Sequence, residues 1–119
     1  MFHNKTVVVT GGARGIGKCI CDEFKKAGAN VCLIDLLDNP YFVGDLADEA
    51  TLRCFAEKVI ADYGQVDVLV NNAMPLFKGI DNCTYDEFLC ALRVGVAAPF
   101  YLTQLFLPYF TPGSSIINI

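Results

Sequence analysis

The chain has 119 residues, enough for one domain and its core but not for two. Hydrophobic residues make up 54% and charged residues 18%, a balance that excludes a disordered segment. The formal net charge of -4 excludes the basic footprint of a nucleic-acid binder and a polybasic membrane patch.

The first element expected is a strand. Thr6-Val7-Val8-Val9-Thr10 is a short β-branched run, and the apolar stretch before Gly11 is too short for a signal peptide, so a cytoplasmic location is expected. Glycines at 11, 12, 15 and 17 follow. Ile16, Ile20 and Phe24 then recur every four residues along one predicted helix, stopped at Gly28. Val31-Cys32-Leu33-Ile34 reads as a second strand ending at Asp35, and Tyr41-Phe42-Val43 as a third. Only Leu36 to Pro40 lie between them. A helical crossover takes a dozen residues or more, so a stretched loop is expected to join two parallel strands, with a hairpin at Asp38-Asn39-Pro40 as the alternative.

Leu52, Phe55, Ala56, Val59, Ile60 and Tyr63 trace a second helical stripe, stopped at Gly64. Asp48 and Glu49 fall in its first turn, where the helix dipole favours acids. Val66 to Val70 reads as a fourth strand, Tyr85 to Tyr109 as a long apolar helix, and Ser115 to Ile119 as a fifth strand. Between Phe88 and Phe110 the one charge is Arg93, but Pro99, Thr103, Gln104 and Pro108 interrupt the run. A buried or interface helix is expected there rather than a membrane span. Strands alternating with helices predict an α/β fold: a Rossmann-like, doubly wound, mainly parallel sheet, in a single domain over residues 1–119. The six cysteines (19, 21, 32, 54, 83 and 90) show no C-x-x-C spacing and the one histidine is His3, so no metal site is expected. The thiols read as small buried hydrophobes.

Thr10-Gly11-Gly12-Ala13-Arg14-Gly15-Ile16-Gly17 joins a strand to a helix. Glycines there let the backbone approach a diphosphate, and the helix N-terminus offers it free N–H groups. A tight turn serving only strand-to-helix packing is the plainer alternative. Gly12 to Cys19 is nearly a P-loop, but Cys19 stands where a magnesium-binding Ser or Thr is needed. Dinucleotide binding needs an acid about 20 residues on, at the end of the next strand. Asp35 lies there, 18 residues after Gly17.

These residues resemble the short-chain dehydrogenase/reductase family. Thr10 to Gly17 match its T-G-x-x-x-G-x-G loop. Gly44-Asp45-Leu46 resemble the segment whose acid binds the adenine amino group, with Leu46 beside the ring. Asn71-Asn72-Ala73 resemble its N-N-A-G, with Met74 in place of the last glycine. Val96 to Thr103 resemble the helix facing the cofactor, and Ile116 to Ile119 the strand leading to the catalytic serine. The resemblance implies an NAD(P)-dependent oxidoreductase that moves a hydride between nicotinamide and a secondary alcohol or ketone. It implies a small-molecule substrate near Met74 to Lys78 and a homo-oligomer built through helices of the Tyr85–Tyr109 region. The cofactor residues it implies are Gly11, Ala13, Arg14, Gly15, Ile16, Gly17, Asp35, Leu36, Asp45, Leu46, Asn71, Asn72 and Ala73.

Asp35 as a carboxylate can accept both ribose hydroxyls and would repel a 2′-phosphate, which favours NAD over NADP. Arg14 argues the other way, because it could pair a phosphate. Asp45 has an alternative role as a cap for the following helix. The family's proton donor is a tyrosine followed four residues later by lysine. Here the residues four after Tyr41, Tyr63, Tyr85, Tyr101 and Tyr109 are Asp45, Asp67, Leu89, Leu105 and Gly113, and no lysine follows Lys78. The catalytic serine is also missing, and Gly95 stands where the family has an active-site asparagine. No catalytic residue is therefore assigned. The chain is expected to be the cofactor-binding part of the fold, truncated after the fifth strand. The alternatives are a dinucleotide-binding protein without catalysis, an inactive fragment, or a different doubly wound module.

Overall fold

A computed structural model describes residues 1–75 and 78–119. Five strands form one parallel sheet: β1 (Thr6–Thr10), β2 (Asn30–Asp35), β3 (Phe42–Val43), β4 (Val66–Asn71) and β5 (Phe110–Asn118). Their order is β3-β2-β1-β4-β5. The helices are α1 (Gly15–Lys26), α2 (Glu49–Tyr63), α3 (Tyr85–Leu92) and α4 (Ala98–Phe106). β2 and β3 pair in parallel, so the stretched loop joins them and the hairpin alternative is excluded. Asn39 holds that loop: its amide donates to Leu37 O and Phe42 O, and its oxygen accepts from Tyr41 N and Phe42 N.

Strand alternation sorts the core onto two faces. Val7, Val9, Leu33, Val68 and Val70 face α1 and its Cys21. Val8, Cys32, Ile34 and Leu69 face α2 and α4, where Phe55 meets Phe106 edge-to-face at 6.4 Å. The fold is thus doubly wound, as expected. The predicted stripe of α1 is corrected in detail. Ile20 and Phe24 pack at the edge of the core, but Ile16 is 66% exposed, and Gly17 and Cys21 are the buried positions.

The long apolar helix is interrupted. α3 passes through a π-helical turn, Arg93–Ala97, into α4, and a 3-10 turn, Leu107–Tyr109, ends it. By length and composition alone Tyr85–Tyr109 could cross a membrane. Ala91, Ala98, Leu102 and Phe106 nevertheless face the domain's own core, while Leu92, Val96, Phe100 and Leu107 stay exposed on the other side. β5 begins five residues earlier than expected. A register irregularity opposite Val66–Val68 lets Phe110 pair with Val66 before the regular ladder from Ser115 to Asn118. The thiols are also corrected. Cys21 and Cys32 are buried, but Cys19, Cys54 and Cys90 are exposed.

A polar network ties three strands at the end of the sheet opposite the glycine loop. Asp67, 6% exposed, accepts from Thr6 N, Gln65 Nε2 and the Thr111 hydroxyl. Burial pushes its carboxyl up, but these hydrogen bonds and the Lys5 ammonium outweigh burial and hold it below the usual range.

Candidate functional site

Strand order reverses between β1 and β4: β1 leads to β2 on one side, and β4 lies on the other. In open α/β sheets a ligand crevice forms at such a switch point, outside the carboxyl ends of the strands. Here those ends carry Thr10-Gly11 and Asn71-Asn72-Ala73, brought together across 62 residues of sequence. Thr10 Oγ1 accepts from Asn72 N at 3.1 Å and Ala73 N at 3.0 Å. Asn72 Nδ2 donates to Thr10 O at 3.2 Å and Gly11 O at 3.1 Å. The loop after β4 is thereby stapled to the glycine turn.

Two of the glycines are required for different reasons. A Cβ on Gly17 would lie 2.1 Å from Gly11 O and 2.4 Å from Asn72 Nδ2, so α1 can seat against the turn only without one. Gly15 has φ +59°, and a Cβ there would meet nothing within 4 Å. The space before Gly15 is open. Arg14 is the N-cap of α1 with no side-chain cap bond, and no acid occupies the first turn. The N–H groups of that turn and the positive helix end are therefore available to an anion.

Asp35 closes the other side. Its carboxylate accepts from Ala13 N and Leu37 N, each at 3.0 Å, which links the glycine loop to the end of β2. Each oxygen keeps a second acceptor position. Lys18, by contrast, pairs with Asp22 along α1 at 2.9 Å, away from the role of a P-loop lysine. Among the described residues, Arg14 makes no ion pair.

Beyond Asp35 lies a cavity of about 300 Å³. Leu36, Asp45, Leu46 and Ala73, four of the residues expected at the cofactor, line it. So do Met74 and Pro75, expected near substrate, and Glu87, Cys90, Ala91 and Val94, which the sequence did not single out. The signal for the last four was their helical spacing, 87, 90, 91 and 94, which places them on one face. Leu46 is nearly buried, anchored in the core with Leu52 and Phe55. Asp45 does not cap α2: it bonds Ala47 N, and Asp48 is the cap, accepting from Thr51 N and Thr51 Oγ1.

Asn71 is set apart from the other expected site residues. It is buried, donates to Asn118 Oδ1 at 2.8 Å and turns toward β5 and the groove beside α4 rather than the glycine turn. Gly95 falls within the π-helical turn, and a Cβ there would make ordinary contact with Pro75 at 3.5 Å, so packing does not demand glycine. Of the segment expected near substrate, Leu76 and Phe77 lie outside the described residues.

A family model described as short chain dehydrogenase matches residues 5–119. The chain belongs to the short-chain dehydrogenase family. An uncharacterised oxidoreductase of Bacillus subtilis is 30% identical over 98% of this chain and 48% of its own length. An apo SCOR enzyme from Clostridium thermocellum is 40% identical, with a TM-score of 0.89 over 97% of this chain and 53% of its own. A blue fluorescent protein from a metagenomic library, solved with NADPH, is 29% identical with a TM-score of 0.91, over 98% and 56% of the two chains. The chain spans about half the length of each of these three relatives. The glycine loop, Asp35 and the cavity beyond it lie within the residues matched by the family model.

Proposed function

We propose that this chain binds a nicotinamide adenine dinucleotide and forms the cofactor-binding part of an oxidoreductase acting on a secondary alcohol or ketone. The observation that carries the reading is the open, uncapped N-terminus of α1 beside Asp35, whose carboxylate is fixed by Ala13 N. Gly11, Ala13, Arg14, Gly15, Ile16 and Gly17 would surround the diphosphate, met by the N–H groups of the first turn. Asp35 would accept the ribose hydroxyls, with Leu36 beside them. Asp45, Leu46 and Ala73 would border the adenine. Asn72 holds the glycine turn in shape, and Asn71 supports the neighbouring strand end. Bound nicotinamide supplies or accepts the hydride; this chain's residues position it and contain no Tyr-x-x-x-Lys pair to move the proton.

The proposed cofactor is NAD. An ionised Asp35 facing the ribose disfavours a 2′-phosphate. Arg14, without an ion-pair partner among the described residues, and the relative solved with NADPH favour the opposite choice. Thermal unfolding with NADH, NADPH or ATP distinguishes them, because a ligand that binds the native state raises the midpoint by mass action. A rise with NADH alone is expected. A rise with NADPH alone overturns the NAD assignment, and a rise with ATP alone overturns the dinucleotide reading.

A further inference from the structure

We propose that the 119-residue chain pairs with a second copy of itself along the outer edge of β5, joining two sheets into one across a two-fold axis at Ile117. β5 ends the strand order, and among the described residues nothing pairs with its outer edge. Ile119 N donates to Asn71 O at 3.0 Å. Backbone N–H and C=O groups alternate sides along a strand. Ile117 and Ile119 therefore point theirs at β4, and Ile116 and Asn118 point theirs outward. In an antiparallel pair, every second position exchanges both hydrogen bonds. Ile116 against the partner's Asn118, and Asn118 against the partner's Ile116, meet that pattern, with the two Ile117 side by side on the axis. One patch then serves both copies, as a closed two-fold contact requires.

Charge is what selects a second copy as the occupant. Val94 to Ile119 contain no charged side chain, although the chain carries a formal net charge of -4. Two copies meet at this edge without bringing like charges together, and the edge offers a charged partner nothing to pair with. Protected edge strands carry a lysine, a proline or a bulge. In β5 the register irregularity and Pro112 come before the regular ladder, and Ser115 to Ile119 have none of these. The α4 side adds apolar area. A two-fold axis normal to the sheet keeps both copies of α4 on one side, so the groove of about 510 Å³ between α4 and β5 faces its mate. Phe100 and Leu107, 66% and 65% exposed, border that groove with Ile116 and would be covered. Leu92 and Val96, earlier in the same run of helix, do not border it.

Sedimentation velocity on the 119-residue chain from about 2 to about 200 µM is expected to show monomer passing to dimer, with a Kd of about 10 µM. Amide exchange followed by NMR reads the register. Ile116 and Asn118 should slow about fivefold between those concentrations, while Ile117 and Ile119, already bonded to β4, should not change. I116P removes an outward N–H and leaves the ladder to β4 its bonds. I117K sets like charges against each other on the axis. Each is expected to raise the dimer Kd about thirtyfold or more, whereas V96E should keep the parental value. A parent that stays monomeric throughout overturns the proposal, as does growth past the dimer. A dimer lost in V96E and kept in I117K also overturns it and moves the contact to the helices. Should an edge variant fail to fold, exchange in the parent decides: rates at Ile116 and Asn118 that ignore concentration overturn the pairing.

Discussion

Replacing Gly17 with alanine separates the packing role of the glycine loop from its ligand role. The added Cβ would sit 2.1 Å from Gly11 O and 2.4 Å from Asn72 Nδ2, more than 1 Å inside ordinary contact. α1 must retreat, or Asn72 must give up its bonds to Thr10 O and Gly11 O. Overpacking of this kind costs about 1–3 kcal/mol, and each lost hydrogen bond about 1 kcal/mol. A loss of about 3 kcal/mol lowers Tm by about 12 °C in a domain of this size. Gly15 provides the contrast. Its φ of +59° makes alanine cost about 1–2 kcal/mol, but its Cβ clashes with nothing. G17A is therefore expected to lower Tm more than G15A, whereas G15V is expected to abolish NADH binding by filling the open space while the domain stays folded. Thermal unfolding by circular dichroism and a fluorescence titration with NADH measure both. A G17A midpoint within about 2 °C of the parent would refute the close-approach argument, and parental NADH affinity in G15V would refute the ligand argument.

Asp35→Ala removes the acceptor for Ala13 N and Leu37 N as well as the proposed ribose contact; NADH affinity is expected to fall about tenfold or more, with a reduced preference over NADPH, in the same titration. Thr10→Val leaves Asn72 N and Ala73 N without their acceptor, and hydrogen exchange at those two amides should accelerate before exchange in the β1 ladder does. Asp67 has a folded-state pKa below its ordinary value of 3.8, so the stability it contributes is complete above that value and is lost as pH falls through the lower folded one. Urea midpoints should drop steeply below about pH 4 in the parent and less so in D67N, which should already be weaker at neutral pH by about 1–3 kcal/mol; parallel pH profiles for the two would contradict this. Phe106→Ala, at a fully buried position against Phe55, is expected to cost about 3–5 kcal/mol by chemical denaturation.

Much of this protein was legible in local pattern. The β-branched run at Thr6–Thr10, the glycines behind it and the acid 18 residues after Gly17 report backbone conformation and spacing, and those properties are written within short segments. The short link at Leu36–Pro40 limited the connection of β2 and β3 to two forms by reach alone. Other features were not local. Ile16 fits the helical period of α1 yet faces solvent, because the helix is oriented by the contact of Gly17 with Gly11, which no periodicity reports. Cys19, Cys54 and Cys90 are exposed because burial depends on which helix face meets the sheet, and thiol character does not specify that.

The site shows the same division. Gly15, Arg14 and Asp35 could be chosen from the sequence because one strand–loop–helix–strand unit holds them all. The staple between Thr10 and Asn72 and the wall formed by Glu87, Cys90 and Val94 could not. Asn72, Glu87, Cys90 and Val94 lie 55 to 77 positions after Gly17 and come near the loop only because β4 pairs beside β1. Sequence alone determined the glycine loop and the acid at the end of the next strand, since backbone freedom, reach and charge are carried by neighbouring residues. Only the tertiary structure decided what encloses the space in front of them, since parallel pairing joins chain segments whose own patterns contain no record of one another.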